Sequence, residues 1–422
     1  MARFDVVHVG GLADPLSPTL MAELRAAGVR TILAYEWMPA GYHYTDGSGD
    51  DPLMTWAYTH RPTATLNPDG PFPHCTESGY DWCEDYYYDL GNPEVVSRRV
   101  GYLLEEAKRL GYDGLFFDWA SGRFIYEPDY GPISRTYRSR HPDRPYVQAV
   151  ADFYAALRNA APDLIVQTNQ GFREAERLLP LVEYDMAESY ITDYDYFSRT
   201  LYVQGRGMIT VPQTIYYPLS DDPSNGHLTD TLDYLDYLTA IDDAHAGPRF
   251  RGTVYMNYVA PDYVTTGQTI SGYEVYTATV PRNAIYFAYA VSKLASQIAY
   301  TEVPVDHRLE RDQVYFFDLG SPLGETYERA ADGYVRFYNL GLVLVGEWQS
   351  ETEVTLHSPY IPPNVPVYDA FERTWLTTGP GVLTVTVRPR PDPLTGRMAP
   401  SGRVYLYGLT RRLFLPLSMR GR

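Results

Sequence analysis

The sequence has little cysteine and no long apolar run. Only two of its 422 residues are cysteines, Cys75 and Cys83, and both lie in one loop segment. The pair is interpreted either as a disulfide or as two separate thiols. A zinc site would need two further ligands at a matching spacing, so we expect no metal and no cofactor. No apolar run reaches the roughly 18–20 residues of a membrane span.

Basic residues are also scarce relative to acidic ones. Lysine and arginine number 35 against 53 aspartates and glutamates, which gives a formal charge of −18. This excess argues against nucleic acid or an anionic membrane surface as a partner. It would attract a cationic glycan, such as a de-N-acetylated galactosamine polymer, but many acidic proteins bind no cation. The first residues resemble a strand and not a signal peptide. We therefore expect a soluble protein, extracellular if a signal was trimmed and otherwise cytoplasmic.

Several catalytic motifs are missing. The segment HVGGLADP after the first predicted strand lacks the G-x-G-x-x-G spacing of a dinucleotide site. The chain has no G-x-S-x-G elbow, no H-E-x-x-H pair and no P-loop. These absences argue against a serine hydrolase of the common type, a zinc protease and a nucleotide-dependent enzyme.

The most informative segment that is present is Gly111–Trp119, GYDGLFFDW. It predicts a helix end, a turn and a short strand that stops on a carboxylate and an indole. Alternation places Gly114, Phe116 and Asp118 on one face of the strand. A strand that is apolar on both faces is typical of a parallel sheet covered by helices, whose chemistry lies at the carboxyl ends of the strands.

Strand and helix patterns alternate up to about residue 300. Eight strands are predicted at Phe4–Val9, Thr31–Glu36, Tyr86–Leu90, Gly114–Asp118, Leu164–Thr168, Tyr184–Glu188, Thr214–Tyr217 and Thr253–Tyr258. Helices are predicted at Pro18–Gly28, Pro93–Leu110, Tyr146–Ala160, Arg173–Leu179, Leu228–Ala244 and Arg282–Tyr300. The pattern predicts an α/β protein with a (β/α)₈ TIM barrel, and a doubly wound open sheet is the competing interpretation.

Beyond the barrel pattern, short alternating runs are separated by Gly, Pro, Asn and Asp turns. They predict a small C-terminal all-β sandwich that packs on the last barrel helices. The predicted domains are a barrel catalytic domain over 1–302, a β-sandwich domain over 303–410 and a basic tail over 411–422. We expect the sandwich to be structural first and sugar-binding second.

Polar and aromatic residues occupy the carboxyl ends of the predicted barrel strands. Such groups hydrogen-bond hydroxyls and stack on sugar faces, which indicates a sugar cleft. The predicted substrate-binding residues are Tyr35, Glu36, Trp37, Asp89, Trp119, Asn169, Tyr190, Tyr217, Asn257 and Tyr258. His8, at the end of the first strand, is interpreted as a core histidine.

Glycoside cleavage needs two carboxyl groups that flank the scissile bond. Asp118 and Glu188 form the best candidate catalytic pair, because both end short buried strands that are next-but-one neighbours. We assign Asp118 as nucleophile and Glu188 as general acid/base. Glu36 and Asp89 are reserve candidates, with substrate positioning or a loop salt bridge as their alternative roles.

The segment YYYDLGNPEVVSRRVGYLLEEAKRLGYDGLFFDW resembles the endo-α-1,4-polygalactosaminidase family and related TIM-barrel glycoside hydrolases. The resemblance implies a catalytic Asp118 after strand four, a catalytic Glu188 after strand six and an amide at Asn169. The chain departs from the family at Trp119, where members often have Asn, and in the long loop before strand three. The stretch from GYVRFYNLGLVLV onward resembles the β-domain appended to such barrels.

These patterns predict a glycoside hydrolase that degrades a polysaccharide or oligosaccharide. Its substrate would be an α-linked, amino-sugar-containing glycan, and it would retain anomeric configuration. The alternative is a carbohydrate-binding pseudoenzyme with the same barrel. The expected partner is a carbohydrate, and the oligomeric state stays open.

Overall fold

A computed structural model describes residues 6–45, 50–71, 83–124, 131–169, 176–220, 226–295, 298–302, 314, 317–393 and 395–408. The chain divides into two compact units. The first unit contains Met1–Ala187 and Ile241–Thr253, and the second contains Glu188–Ala240 and Val254–Arg422. The protein is an α/β protein with a parallel sheet and several further β-sheets.

A parallel sheet forms the centre of the first unit. Its strands lie in the order β1, β2, β5, β6, β7. They span Val6–Gly11, Thr31–Trp37, Gly114–Asp118, Ile165–Asn169 and Tyr184–Glu188. Trp37 is level with Asp118 across the β2–β5 pair. Thr168 is level with Phe117 on one side and with Asp185 on the other.

Helices connect these strands. They are α1 (Pro18–Ala26), α2 (Pro52–Thr59), α3 (Arg61–Ala64), α4 (Pro93–Leu110), α5 (Pro132–Arg140), α6 (Tyr146–Ala160) and a 3₁₀ helix (Glu176–Leu181). A further helix, α7 (Leu228–His245), follows β7 later in the chain. Helix α4 begins where the Asn92 side chain accepts a hydrogen bond from the Glu94 amide. It ends at Gly111, whose φ of 82° suits glycine. The sequence predicts α4 and α6 with the bounds found here.

Strand β5 is buried on both faces, as its sequence predicts. The ring of Phe117 packs edge-on against Phe153 and Tyr154 of α6, at centroid distances of 5.9 and 5.7 Å. Phe116 lies on the opposite face, with its ring 4.5 Å from that of His8. Asp118 shares the face of Phe116 by alternation.

The assignment of the third predicted strand, Tyr86–Leu90, to the parallel sheet is wrong. Residues Cys83–Tyr87 form β4, which pairs antiparallel with β3 (Ala40–Tyr44). Strand β2 pairs directly with β5 instead. The period-two pattern of this segment is the same in a hairpin-like pair and in a barrel strand, so it does not distinguish them. The loop predicted before this strand also holds α2 and α3.

The second unit contains an antiparallel region that the sequence assigns to the barrel. Predicted strand seven belongs to β9 (Gly207–Tyr216), which pairs antiparallel with β8 (Thr192–Val203). Strands β11 (Asp262–Ile270) and β12 (Tyr273–Thr279) complete this four-stranded sheet in the order β11, β12, β8, β9. The prediction that Thr214–Tyr217 is a parallel barrel strand is therefore wrong.

A parallel pair follows in the same unit. Strand β10 (Thr253–Tyr258) matches the predicted eighth strand and pairs with β13 (Ile298–Glu302). The helix predicted over Arg282–Tyr300 is shorter, since α8 spans Arg282–Leu294 and β13 follows it. The apolar character of both segments hides the change from helix to strand.

The C-terminal region consists of two antiparallel sheets. One has the order β14, β15, β16, β21, β18, β19, and the other pairs β17 with β20. Their bounds are Glu328–Ala330, Gly333–Tyr338, Gly341–Gly346, Ser401–Tyr407, Pro366–Asp369, Thr374–Thr377, Thr352–His357 and Val382–Val387. A shared apolar core includes Phe337, Leu344 and Tyr405 from the larger sheet and Leu356 and Val385 from the smaller.

Helix α8 packs on this C-terminal region. Tyr286 donates a hydrogen bond from its hydroxyl to the carbonyl of Ala370 at 3.0 Å. Tyr338 of β15 donates to the carbonyl of Lys293 at 2.6 Å. The β-sheets are thus attached to the preceding α/β segment by buried hydrogen bonds.

Other expectations stay open. The predicted domain boundaries at residues 302 and 410 stay predictions, and the tail over 411–422 lies outside the described residues. Cys83 is disulfide-bonded, whereas Cys75 lies outside the described residues. In the described part of the chain, no helix is long and apolar enough to cross a membrane.

Replacement of Gly114 tests the packing of β5. A Cβ atom at this position would overlap the backbone carbonyl of Ile165 on β6. We expect Gly114→Ala to lower the free energy of unfolding by about 2–4 kcal/mol, because neither strand can move without breaking the sheet. The control is Gly101→Ala on α4, where a Cβ meets nothing within 4 Å. It should stabilise by about 0.5–1 kcal/mol. Equal urea midpoints for the two variants would contradict this account.

Candidate active site

Asp118 lies at the carboxyl end of β5 and accepts three hydrogen bonds. The hydroxyl of Tyr35 donates to Oδ2 at 2.6 Å. The side-chain amide of Asn169 donates to Oδ1 at 2.9 Å, and so does the backbone amide of Trp119. These donors come from β2, from β6 and from the residue that follows β5. They fix the orientation of the carboxylate and stabilise its negative charge.

Aromatic rings surround this end of the sheet. Trp37 is buried, and its ring lies edge-on to Trp119 at 4.3 Å and stacked on Tyr42 at 4.9 Å. Trp119 has a φ of 54°, which is uncommon for a bulky residue. The turn after Asp118 therefore holds the indole in a defined place beside the carboxylate. Apolar rings of this kind can pack on the face of a sugar.

His8 also belongs to this group, although the sequence places it in the core. Its ring lies 4.5 Å from Phe116, on the face of the sheet that Asp118 shares. Burial lowers the pKa of His8, and the charge of Asp118 opposes this shift. His8 lies within β1 and not at its end as the sequence predicts, so the strand-end pattern does not identify it. We refer to Asp118, Tyr35, Asn169, Trp119 and His8 as the Asp118 cluster.

The hydroxyl of Tyr35 is a hydrogen-bond donor in the Asp118 cluster. Partial burial raises its pKa, and the charge and hydrogen bond of Asp118 raise it further. Tyr35 therefore stays protonated at any physiological pH. Its ring is 41% exposed, so it is also accessible to a ligand.

Glu36 does not join the Asp118 cluster. Its carboxylate lies 4.0 Å from the guanidinium of Arg99 on α4, and Arg99 donates a hydrogen bond to the carbonyl of Trp37 at 2.5 Å. Strand alternation turns Glu36 to the helix side of β2 while Tyr35 and Trp37 face the other way. Burial raises the pKa of Glu36 to about 7, although Arg99 opposes this.

Asp89 has a structural environment. It is buried, forms an ion pair with Arg140 at 3.0 Å and shares a hydrogen bond with the His141 ring at 2.8 Å. It also accepts a hydrogen bond from the amide of Gly91. These contacts fit the loop salt bridge that the sequence leaves open for this residue, and they join the end of α5 to the start of α4.

Glu188 ends β7 and accepts a hydrogen bond from the hydroxyl of Tyr258 at 2.9 Å. Tyr258 ends β10 and lies edge-on to Tyr194 of β8, with centroids 5.7 Å apart. The amide of Ser189 donates to the carbonyl of Met256 at 2.8 Å. Two predicted site residues, Glu188 and Tyr258, are therefore in direct contact within the second unit.

The remaining candidates are buried. Tyr190 is 2% exposed and its ring packs on Tyr234 of α7. Asn257 is 1% exposed and its Oδ1 accepts a hydrogen bond from the amide of Thr192. Tyr217 is 4% exposed and lies edge-on to Phe287 of α8. Tyr190 thus packs against α7 and Asn257 holds the start of β8, while Tyr217 lines a cleft of the second unit.

The arrangement supplies the parts that glycoside chemistry uses. An oriented carboxylate with neutral donors can attack or stabilise a positive carbon centre, and a second carboxyl group can move a proton. Aromatic rings beside the first carboxylate offer a surface for a sugar ring.

Comparison with known proteins identifies the fold. No protein-family model and no curated protein matches the chain. The noncanonic maltogenic alpha-amylase AmyB from Thermotoga neapolitana has a TM-score of 0.50 at 10% identity, over 92% of this chain and 80% of that one. The glycoside hydrolase domain of PelA from Pseudomonas aeruginosa has a TM-score of 0.41 at 18% identity, over 72% and 88%. An alpha-amylase from Malbranchea cinnamomea has 0.48 at 11%, over 96% and 86%.

These structural neighbours are glycoside hydrolases with a TIM-barrel-like fold. At such low identity the likeness to AmyB shows the fold alone. The likeness supports a TIM-barrel-like fold, and the predicted relation to polygalactosaminidases stays a prediction.

The raised pKa of Glu36 predicts a pH-dependent stability. The carboxyl holds its proton up to about pH 7 when folded and up to about 4.5 when unfolded. Unfolding between these values releases the proton, so stability falls as the pH rises through this window. In Glu36→Gln this fall should disappear, which flattens the pH profile by up to about 3 kcal/mol.

Urea unfolding at intervals between pH 4.5 and 7.5 measures the effect. The control is Glu105→Gln, an exposed position on α4. It should keep the wild-type slope. A Glu36→Gln variant with the wild-type slope would contradict the assignment of a protonated Glu36.

Proposed function

We propose that the protein is a glycoside hydrolase that cleaves O-glycosyl bonds, with Asp118 as nucleophile and Glu188 as general acid/base on a (β/α)₈ barrel. The observation that carries the proposal is the carboxylate of Asp118 held by Tyr35, Asn169 and the Trp119 amide at a strand end. Active sites of parallel α/β sheets lie at this edge.

Strand register supports the pairing of the two carboxyl groups. The Asn169 side chain bonds Asp118, so both lie on one face of the sheet. Asn169 is level with Met186 on β7. Glu188 follows Met186 by two residues, and alternation returns it to the same face. Only β6 lies between β5 and β7 in the sheet order.

The proposed reaction has two steps. An Asp118 carboxylate oxygen attacks the anomeric carbon while Glu188 gives its proton to the glycosidic oxygen, which leaves as an alcohol. Glu188 then removes a proton from water, and the hydroxide displaces Asp118 from the anomeric carbon. Tyr35 and Asn169 keep the attacking carboxylate in place during both steps, since they bond its oxygens.

The substrate that we propose is an α-linked glycan that contains amino sugars. The formal charge of −18 supports a cationic ligand. The resemblance of the Gly111–Trp119 region to polygalactosaminidases supports the same class. The half-buried ring of Trp119 and the exposed ring of Tyr35 supply apolar surface beside Asp118.

Removal of the Asp118 charge tests the proposed nucleophile. Asp118→Asn keeps the shape of the side chain, and we expect kcat to fall by about 10³-fold or more because covalent catalysis depends on that oxygen. Reducing-sugar release from a polysaccharide panel measures it. The matched control is Asp143→Asn at an exposed position, which should keep wild-type activity. Activity of Asp118→Asn within about tenfold of wild type would contradict the assignment.

Stereochemistry tests the proposed pair. Double displacement retains the anomeric configuration and needs carboxyl groups about 5–5.5 Å apart, whereas inversion needs roughly 6.5–9.5 Å. We expect the first product observed by NMR to have the configuration of the substrate. We also expect Glu188→Gln to lose the limb of the pH profile that the acid/base produces. An inverted product would make Asp118 a general base instead. Binding of glycan by wild type without release would indicate a carbohydrate-binding protein.

A further inference from the structure

A cleft of about 1020 Å³ lies within the second unit. One wall is the end of β9, with Gln213, Thr214 and Tyr217. The other wall comes from the C-terminal β-region, with Glu347, Gln349, Asp392 and residues of the segment 395–400. The cleft is therefore built jointly by the β8–β9 hairpin and the C-terminal β-sheets. This volume is in the range of sites that hold small ligands.

Hydrogen bonds join Asp392 to residues of the segment 395–400 and to β9. The carboxylate of Asp392 accepts hydrogen bonds from the amide and the hydroxyl of Thr395, at 2.7 and 2.9 Å. The amide of Asp392 donates to the carbonyl of Arg397 at 2.8 Å. The side chain of Gln213 reaches across from β9 to Asp392 at 3.4 Å. These bonds fix the segment and tie it to the opposite wall.

Acidic groups predominate among the charged side chains of the cleft lining, which also offers apolar surface. Three carboxylates line it, Asp195, Glu347 and Asp392, against the single guanidinium of Arg397 among the described lining residues. Amides and hydroxyls alternate with the rings of Tyr216 and Tyr217. Such a lining suits a ligand that offers many hydroxyl groups, one or more positive charges and a flat apolar face.

Tyr217 and Glu347 form a polar pair in the cleft. The ring of Tyr217 is buried, and its hydroxyl interacts with Glu347 through the charge of that carboxylate and a side-chain hydrogen bond. Burial raises the pKa of this hydroxyl, and the charge and hydrogen bond of Glu347 raise it further, so it stays a neutral donor. The hydroxyl orients the Glu347 carboxylate, which can then bind a cationic group of a ligand.

The cleft is linked to Glu188 by adjacent residues of the same unit. Asp195 lines the cleft, and its neighbour Tyr194 packs on Tyr258. Tyr258 in turn donates its hydroxyl to Glu188. An extended ligand could thus be held on the hairpin that supports the proposed acid/base.

We propose that this cleft is a second oligosaccharide-binding site, distinct from the Asp118 cluster, which takes a glycan that carries protonated amino groups. It gives the C-terminal β-region a binding role that needs β9 as the second wall. The inference rests on the proposed function only for the view that the two sites serve one glycan.

The test counts binding sites by calorimetry in the full chain. The reference is Asp118→Asn, which should bind without turnover, and the probe is a glucosamine trisaccharide at low salt. We expect two molecules bound per chain. In the Asp118→Asn background, the further substitutions Glu347→Gln and Gln349→Ala should reduce this number to one bound molecule per chain. Both residues line the cleft and are solvent-accessible. The control substitution Glu353→Gln, exposed on β17, should leave two.

Tyr217→Phe provides a second variant, since it keeps the buried ring and removes only the hydroxyl that interacts with Glu347. It should weaken the cleft site about tenfold or more, because Glu347 loses the donor that orients it. The N-acetylated trisaccharide, which lacks the positive charges, should also bind the cleft about tenfold more weakly.

The outcomes separate the two proposals. Two sites that persist in the Glu347→Gln, Gln349→Ala variant would overturn the cleft site. A single site in the reference that this variant loses would support the cleft and contradict a glycan site at Asp118. A single site that the variant keeps would overturn the cleft site alone. Equal cleft affinity for the charged and N-acetylated probes would overturn its proposed selectivity.

Discussion

The close pairing of β5 with β2 and β6 is the constraint on which the candidate site depends. Gly114 permits it, since any side chain there would overlap the Ile165 carbonyl. The register that follows puts Trp37 level with Asp118 and Thr168 level with Phe117. Donors from both neighbouring strands therefore reach one carboxylate. A shift of one residue in either pair would turn these donors to the opposite face.

Helix α4 supports this edge of the sheet from behind. Arg99 is buried, bonds the carbonyl of Trp37 and lies over the ring of Tyr88 at 4.3 Å. Its guanidinium is also 4.0 Å from Glu36, so it compensates part of the cost of burying that carboxyl. The position of the Trp37 ring thus depends on a charged group that never reaches the ligand side. The caps at Asn92 and Gly111 set the length of the helix that carries Arg99.

Local signals made much of the first unit predictable. The caps and periodicity of α4, and the apolar run of β5, contain their own boundaries, so sequence and structure agree there. Pairing between distant segments is not encoded locally. The sequence pattern therefore assigns the segments of β4 and β9 to the parallel sheet, although each pairs antiparallel in the structure. The alternation of side chains along β2 also limits which of its residues can face Asp118. Tyr35, Glu36 and Trp37 are consecutive, so they cannot all face Asp118, and Glu36 is the one that faces α4.

The partners of each carboxylate distinguish structural from reactive roles. Glu183 is buried between Arg158 at 2.5 Å and Arg249 at 2.7 Å, and Asp89 bonds Arg140 and His141. Cationic partners neutralise such carboxylates, so little negative electrostatic potential remains to act on a substrate. The hydrogen bonds to Asp118 come instead from a phenol, an amide and a backbone N–H, all neutral. Neutral donors orient a carboxylate while its net charge remains. That charge can then stabilise an oxocarbenium-like centre, as glycoside cleavage requires.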